Sequence, residues 1–266
     1  MGLASSGKAR NTDSLQTPAG DGTQVNAKQI NHYNVMSRIF GRSPLAREIL
    51  WRAYSWAPYP VSKLLLGIGR SRFLFPENRL PYFHQVFEHV RENQVPGDYL
   101  EFGVYRGQSF IMAYQLGRNL AMRFYAFDSF EGLPGDEELW RRGEFRAEEK
   151  YFLRSLRKAG ANMERVVVVP GFYDAIELEK VPGLNRAAIV HIDCDLYSSA
   201  REVLRLVKGI IGKGSIIIFD DWFSFAEYPQ PRDHGEQRAF HEWSEAHRFV
   251  SFLEAYPWHK SFVCIE

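Results

Sequence analysis

Four acidic residues come shortly after two apolar runs of this 266-residue chain. Asp193 and Asp195 follow the run Ala-Ala-Ile-Val, and Asp220 and Asp221 follow Ser-Ile-Ile-Ile-Phe. Such runs are typical of buried parallel strands. Carboxylates at the edge of one sheet repel each other and are costly to desolvate unless a cation lies between them. A hard divalent cation such as Mg²⁺ is the simplest partner, because it takes carboxylate oxygens and leaves positions open for a substrate.

A glycine-containing turn follows an earlier apolar run, in the segment Leu-Glu-Phe-Gly-Val-Tyr-Arg-Gly at 100–107. Gly103 permits a tight turn and the close approach of a ligand, and Gly107 opens the next helix. Glu101 is an acid within an apolar strand and needs a partner, which a bound ammonium group would supply. The pattern alone is weak, because an ordinary strand-to-helix turn has the same composition.

Asp128 ends the next apolar run, 25 residues after Gly103. An acid at this position can accept hydrogen bonds from both ribose hydroxyls of a nucleoside, whereas the alternative is that it caps the following turn. The turn lacks the second glycine of the dinucleotide fingerprint, which argues against a pyrophosphate ligand. Together with Glu101, these features favour an adenosine that carries an amino acid, and S-adenosylmethionine fits that description.

The elements that must position these residues alternate between strands and helices. Short apolar runs predict strands at 98–103, 123–128, 166–169, 188–193 and 215–220. Helical periodicity predicts helices near 108–119, 148–159, 198–211 and 236–247, with two final strands at 249–254 and 261–265. This order is typical of an α/β fold with a doubly wound, Rossmann-like, mostly parallel seven-stranded sheet and an antiparallel edge strand. Ligands of such sheets bind beyond the carboxyl ends of the strands, where each motif lies.

The chain before this alternating pattern has a different composition. Residues 1–27 are polar and predict a disordered tail. Residues 28–95 are aromatic and basic with helical spacing, and they predict an N-terminal helical cap that packs on the core. Residues 96–266 then form the catalytic domain. The cap also makes a homo-oligomer a reasonable expectation.

Composition narrows the classes of function. The formal net charge of +1 argues against a nucleic-acid binder. No apolar run is long enough to cross a membrane. Two cysteines, Cys194 and Cys264, suggest no disulfide framework and fit a reducing compartment, so a cytoplasmic location is expected. A small-molecule substrate is the remaining expectation.

The motifs at 100–107, 127–134 (Phe-Asp-Ser-Phe-Glu-Gly-Leu-Pro), 191–197 (His-Ile-Asp-Cys-Asp-Leu-Tyr) and 220–221 resemble the macrocin O-methyltransferase (TylF/MycF-like) family. They occur in the family's order and at similar spacing over about residues 95–240. The resemblance implies a class I methyltransferase that depends on S-adenosylmethionine and Mg²⁺. Such enzymes methylate hydroxyls of sugars on natural products.

Residue by residue, the resemblance implies that Asp193, Asp220 and Asp221 are metal ligands and that Asp195 is the general base. The predicted cofactor contacts lie in the glycine turn, the second motif and the acidic cluster: Glu101, Phe102, Gly103, Val104, Gly107, Asp128, Ser129 and Asp193. Metal coordination would lower the pKa of an acceptor hydroxyl, and Asp195 would take its proton as the oxygen attacks the methyl group.

Two residues of the third motif are interpreted as structural. His191 precedes a predicted ligand by two positions along the chain and is expected to support the fold rather than act as the base. Cys194 lies between two acids, which would raise the pKa of its thiol, so a packing role is expected.

Two loops are candidate lids. The aromatic and proline-rich segment 222–231 leads into His234, Gln237 and Arg238, which are candidate substrate contacts, with helix capping as the alternative. The insertion at 135–146, which contains Trp140 and several charges, is the second candidate. Neither loop identifies the methyl acceptor.

Two other functions are compatible with part of the pattern. Asp193 and Asp195 also resemble the Asp-x-Asp motif of a metal-dependent glycosyltransferase, but Asp128 and the second acidic pair then have no role. A non-catalytic protein with a methyltransferase fold is the other alternative, and the intact set of four acids argues against it.

Overall fold

The computed structural model describes residues 79–137, 139–244, 248–255 and 259–266. The tail predicted at 1–27 and most of the cap predicted at 28–95 lie outside the described residues. The described helices are α1 (Arg79–Glu92), α2 (Gln108–Gly117), α3 (Glu149–Lys158), α4 (Tyr197–Val207) and α5 (Gly235–Ser244). The strands are β1 (Asp98–Phe102), β2 (Phe124–Asp128), β3 (Val166–Pro170), β4 (Ala187–Ile192), β5 (Ile216–Phe219), β6 (Phe249–Ala255) and β7 (His259–Cys264).

The seven strands form one sheet in the order β3-β2-β1-β4-β5-β7-β6. Strands β1 to β5 are parallel to their neighbours, and β7 is antiparallel to both β5 and β6. The predicted fold class is therefore confirmed, with the antiparallel strand inserted at the β5 edge. The expected alternation of strands and helices holds, and element bounds differ from the predicted ones by a few residues.

Both faces of the sheet are covered, because successive strand residues point to opposite sides. On one face, Tyr99 of β1 packs among the side chains of α1, α2 and α3, which include Phe83, Phe87 and Phe110. On the other face, Leu100 of β1 packs with residues of α4 and α5. Helix α1 is the described end of the predicted cap, and its buried phenylalanines make it part of this core. Within the described residues, no helix combines the length and the apolarity that crossing a membrane requires.

The strand ends are held together by backbone hydrogen bonds that continue past the ladders. Gly103 N donates to Phe127 O at 2.9 Å, and Asp193 N donates to Phe102 O at 2.9 Å. Gly103 has φ +94°, and a Cβ there would lie 1.7 Å from Asp193 O. Only glycine fits, so the first turn can approach the acidic motif closely.

Candidate active site

A cavity of about 640 Å³ opens at the carboxyl ends of β1 to β4. Its size falls in the range of small-molecule and cofactor sites. Its lining brings together five predicted site residues: Gly103, Asp128, Ser129, Asp193 and Asp195. The glycine turn, the second motif and the acidic motif thus share one cavity.

Asp128 is held by backbone donors. Its Oδ2 accepts from Val104 N and Tyr105 N, both at 2.9 Å, and its Oδ1 accepts from Phe130 N at 2.7 Å. The capping role considered for this residue is therefore present. A carboxylate offers about four acceptor positions, so about one is left for a ligand hydroxyl. Burial raises the pKa of Asp128, and these backbone donors oppose that rise. Its contact with a ribose stays a prediction.

Glu101 finds its partners within the protein. It is fully buried and accepts hydrogen bonds from Tyr99 Oη and, at 2.6 Å, from Ser109 Oγ. His191 Nδ1 lies 3.4 Å from its Oε2. Glu101 is not part of the cavity lining, so the expected neutralisation by a ligand's ammonium group is replaced by contacts on the α1 side of the sheet.

Three other predicted cofactor contacts also lie outside the lining. Phe102 is buried and stacks on Phe127 with ring centroids 4.4 Å apart. Val104 is buried, and Gly107 leaves the space that the ring of Phe152 fills. The side chains of Phe102 and Val104 belong to the core around the turn, and the contact of these three residues with a cofactor stays a prediction.

The acidic cluster has an unpaired side, whose carboxylates form no ion pair with the described residues: Asp193, Asp195 and Asp221. Burial and the charge of Asp220 raise the pKa of Asp193 well above its usual range. Burial and the neighbouring Asp221 raise the pKa of Asp195 to about 8, and burial with the charge of Asp220 raises that of Asp221 to about 6. Asp195 also has φ +62°. Left-handed backbone outside glycine is uncommon and concentrates at functional sites.

Asp220 differs from these three residues because it has basic side chains as neighbours, and with them it forms the paired side of the cluster. Its Oδ2 lies 2.8 Å from Arg79 Nη2, and its Oδ1 lies 3.2 Å from His191 Nε2 and 2.9 Å from His259 Nε2. The contact with His259 is close but lacks hydrogen-bond geometry. Burial opposes the charge of Asp220, but His259, His191 and Arg79 hold its pKa well below the usual value.

His191 serves the fold, as the sequence suggested. Its ring is fully buried between Glu101 and Asp220 and packs edge-on against Phe83 at 5.1 Å. Burial lowers the pKa of His191, but the two carboxylates outweigh burial and raise it to about 10. Cys194 is also buried, and burial with nearby acids raises the pKa of its thiol, which agrees with a packing role.

The donor atoms of the cluster fit a hard divalent cation. Ligand atoms of His191, Asp193 and Asp220 lie within 4.8 Å of one another, but His191 is held between Glu101 and Asp220, so the carboxylates are the suitable donors of that group. Asp193, Asp195 and Asp221 form no ion pair within the described part of the chain, so their charge calls for a cation. Asp220 already has three partners, and it could ligate a metal only if Arg79 shared or released its oxygen.

The three predicted substrate contacts lie outside the cavity lining. His234 stacks on Phe225 with ring centroids 5.1 Å apart. Gln237 is buried and donates to Trp222 O, while Arg238 pairs with Glu242 at 2.9 Å. These contacts belong to the packing of α5 and the loop before it, and the contact of the three residues with a substrate stays a prediction.

The sequence reasoning missed several lining residues. Gly171 to Asp174 follow β3, which lies beside β2 in the sheet, so the rule that ligands lie beyond strand ends could have found them. Arg142 and Phe145 of the predicted lid at 135–146 also line the cavity, which places that segment at the site. Ser198 and Ser199 at the start of α4 complete the wall next to Asp195.

Comparison with solved structures supports the fold. The O-methyltransferase NovP superposes with a TM-score of 0.58 at 22% identity, covering 71% of this chain and 80% of that one. The calicheamicin methyltransferase CalS11 gives 0.57 at 20% identity, covering 93% and 99%. At this level of identity, the likeness shows a class I methyltransferase fold.

Sequence comparison adds the family. Two relatives are 31% identical: the 8-demethyl-8-(2,3-dimethoxy-alpha-L-rhamnosyl)-tetracenomycin-C 4'-O-methyltransferase of Streptomyces olivaceus over 160 residues, and the demethyldecarbamoylnovobiocin O-methyltransferase of Streptomyces niveus over 158. Each match covers 54% of this chain and 60% of the relative. The model of the macrocin-O-methyltransferase (TylF) family matches residues 73–234, more than half of the sequence. The chain therefore belongs to the macrocin-O-methyltransferase (TylF) family.

Proposed function

We propose that this chain transfers a methyl group from S-adenosylmethionine to a hydroxyl of a sugar or another diol-bearing small molecule, with Mg²⁺ at the acidic cluster. The reaction would tailor a natural product or glycan in the cytoplasm. The observation that carries the proposal is the single cavity that joins Gly103 and Asp128 to Asp193 and Asp195. This shared lining supports a donor site and a proton acceptor within reach of one ligand pair.

The donor side is formed by the turn after β1 and the ends of β2 and β3. Gly103 lets a ligand approach the backbone, and Asp128 keeps acceptor capacity for a ribose hydroxyl. The segment from Gly171 to Asp174 lies on the same wall, where an adenine would continue from the ribose. Bound there, S-adenosylmethionine would supply an electrophilic methyl group on a sulfonium.

The acceptor side is formed by the acidic motif. Asp195 lines the cavity beside Asp193, where its carboxylate can accept the proton of a hydroxyl bound at the cluster. With the donor bound, the hydroxyl oxygen would form a bond to the methyl carbon as the bond from that carbon to sulfur breaks; the hydroxyl proton would pass to Asp195, and S-adenosylhomocysteine would be released. Asp193 and Asp221, with Asp220, would hold Mg²⁺, which acidifies the hydroxyl and fixes its position.

The names of the relatives favour a sugar hydroxyl as the acceptor. One is named as a 4'-O-methyltransferase of a rhamnosyl tetracenomycin, and CalS11 is described as a TDP-rhamnose 3'-O-methyltransferase. Vicinal hydroxyls of a sugar are also suited to bidentate chelation of a metal. These names support the class of acceptor proposed for this chain.

Calorimetric titration of S-adenosylmethionine, with and without Mg²⁺, tests the donor site. We expect Asp128→Ala to weaken donor binding, whereas Asp193→Ala should keep donor binding and lose the enhancement by Mg²⁺. Absence of donor binding by the folded wild type, or binding of UDP in its place, would contradict the proposal and favour a nucleotide-sugar enzyme.

Asp195→Asn tests the base. We expect methyl transfer to a rhamnoside acceptor to fall by about 10²–10⁴-fold with donor affinity unchanged, because the amide cannot take a proton. Asp233→Asn, which changes an exposed acid outside the cavity lining, is the matched control. Equal activity of Asp195→Asn and wild type would remove the assigned role, and donor binding without any transfer by wild type would favour the non-catalytic alternative.

A further inference from the structure

Glu236, in the first turn of α5, is a fifth acid beside the acidic cluster. Its side chain is 1% exposed, and it does not line the cavity. Burying a carboxyl group is costly unless hydrogen-bond donors meet it, so this position calls for a specific partner. The methyl transfer proposed above makes no use of Glu236.

The partner of Glu236 is the backbone of the second acidic pair. Strand β5 ends at Phe219, and Asp220 N still continues the ladder by donating to Ile192 O at 2.9 Å. The next amide leaves the ladder, and Asp221 N donates to Glu236 Oε2 at 3.0 Å. A backbone N–H away from water needs an acceptor, and here a side chain of α5 supplies it.

Two further contacts fix the first turn of α5 against the segment that follows β5. Gln237 donates from Nε2 to Trp222 O. Gly235 has φ +49°, and a Cβ there would lie 2.8 Å from the ring of Phe225. Glycine at this position therefore lets the helix begin close to that ring. The packing brings the side chain of Glu236 to the end of the strand.

The contact with Glu236 determines where the carboxylate of Asp221 lies. The preceding acid, Asp220, points to the basic side chains of Arg79 and His191. The backbone must turn between the two acids for the second carboxylate to face away from these bases. Holding Asp221 N fixes that turn, and Ser224 Oγ then donates to the carboxylate at 3.0 Å.

The helix dipole alone does not account for Glu236. An acid in the first turn of a helix is stabilised by the dipole, but that interaction does not require burial. The Oε1 atom of Glu236 is buried and has no hydrogen-bond partner among the described residues, which is rare for a side-chain oxygen. A carboxyl group placed at this cost is best explained by the contact that its other oxygen makes.

We propose that Glu236 is a positioning residue that holds Asp221 in place as a ligand of the divalent cation. This inference rests on the proposed function and adds a residue of α5 to the metal site. Glu236 acts through the backbone of Asp221 and touches neither the methyl donor nor the acceptor. Partners that orient the ligands of a metal site typically contribute about 10–100-fold to metal affinity.

Two substitutions of Glu236 separate its hydrogen bond from its charge. Glu236→Asp keeps the charge but shortens the side chain, so the oxygen no longer reaches Asp221 N. Glu236→Gln removes the charge but keeps an oxygen that can accept this hydrogen bond. In calorimetric titrations of MgCl₂ into the full chain, we expect Glu236→Asp to weaken binding about tenfold or more, and Glu236→Gln to stay within about threefold of wild type.

The matched controls are Glu242→Asp and Glu242→Gln, which make the same changes at an exposed acid of the same helix. Both should bind Mg²⁺ as wild type does. A larger loss in Glu236→Gln than in Glu236→Asp would show that the charge matters instead of the contact, and it would overturn the inference. Wild-type affinity in Glu236→Asp would overturn it as well.

A double-mutant cycle with Asp221→Asn tests whether Glu236 acts through Asp221. Residues that act as one unit have non-additive effects, so Glu236→Asp should cost at most about twofold in Mg²⁺ affinity in the background of Asp221→Asn. An equal cost in both backgrounds would contradict the proposed route. Amide hydrogen exchange at Asp221, measured without metal, should also be faster in Glu236→Asp than in wild type or Glu236→Gln.

Titration of S-adenosylhomocysteine reports separately on the donor site, and each variant should bind it as wild type does. Loss of that binding in wild type, with the expected pattern of Mg²⁺ affinities intact, would overturn the proposed methyl transfer but leave the role of Glu236. Absence of Mg²⁺ binding by wild type would overturn this role together with the metal of the proposed function. Normal binding of both ligands without any effect of Glu236→Asp would overturn the inference alone.

Discussion

Asp220 and Asp221 are adjacent in the sequence, but their carboxylates have opposite surroundings. Asp220 belongs to the paired side of the cluster, where Arg79, His191 and His259 surround it. Asp221 belongs to the unpaired side, together with Asp193 and Asp195, and its pKa is raised to about 6 by burial and by the charge of Asp220. The difference teaches that one carboxylate of the cluster is paired and stabilises the fold. The others repel one another, and a bound cation would offset that repulsion.

The largest effect on stability is expected from Asp220→Asn. Removing this charge leaves the buried, cationic His191 and the half-buried Arg79 against a neutral amide, which should lower the free energy of unfolding by about 3–5 kcal/mol. Urea denaturation monitored by circular dichroism measures the change. Asp174→Asn, at an exposed position of the cavity rim, should stay within about 0.5 kcal/mol of wild type. A small effect of Asp220→Asn on stability would contradict the distinction between the paired and unpaired sides of the cluster.

The neighbouring substitution Asp221→Asn should act in the opposite direction. It removes one of several repelling carboxylates and keeps a side chain that can accept from Ser224, whose Oγ lies 3.0 Å from Asp221 Oδ1. Without metal at about pH 8, the free energy of unfolding should rise by about 1 kcal/mol, discounted for the partial exposure of the cluster. The same variant should bind Mg²⁺ more weakly in a calorimetric titration. A loss of stability equal to that of Asp220→Asn would contradict the expected sign.

A smaller effect is expected from pH alone. The pKa values of Asp193, Asp195 and Asp221 are raised in the folded protein, so the folded state holds protons that the unfolded chain has released. Such groups stabilise the fold below about pH 4, and this contribution is lost as pH rises through about 6 to 8. In the presence of a chelator, the melting temperature should fall between about pH 5.5 and pH 8.5, by the equivalent of about 1 kcal/mol.

Adding excess Mg²⁺ tests whether the loss of stability at high pH comes from a metal site. It should restore the melting temperature more at the upper end of the pH range than at the lower end, because protonated carboxyl groups bind no metal. Ca²⁺ and Na⁺ at equal ionic strength separate specific binding from screening. A melting temperature that rises with pH in the presence of chelator would contradict the expected repulsion among the carboxylates of the cluster.

Much of the fold follows from local patterns in the sequence. Apolar runs that precede Asp128, Asp193 and Asp220 mark β2, β4 and β5, and the helical periodicity between them requires crossovers that make the strands parallel. Since parallel strands end at the same edge, the sequence also implied that these acids lie near one another. Asp128, Asp193 and Asp195 do line or adjoin a single cavity.

The contacts of individual side chains were less predictable. Glu101 seemed to require a ligand, because it is an acid within an apolar strand, yet His191 of the neighbouring strand is paired with it in register. His234, Gln237 and Arg238 seemed available for substrate, yet their partners Phe225, Trp222 and Glu242 come from the packing of α5. Polar residue types indicate that a partner is needed and leave its identity open.

The sequence by itself determined the strand order along the chain, the positions of glycine and acid at strand ends, and the family to which they belong. Only the tertiary structure decided which acid is neutralised. Arg79 and His259 are 141 and 39 residues from Asp220 in the chain, and they reach it because α1 packs on the sheet and β7 pairs antiparallel with β5. Local periodicity determines which face of its helix or strand a residue occupies. Which charged side chain lies beside it depends on contacts between elements that are distant in the sequence.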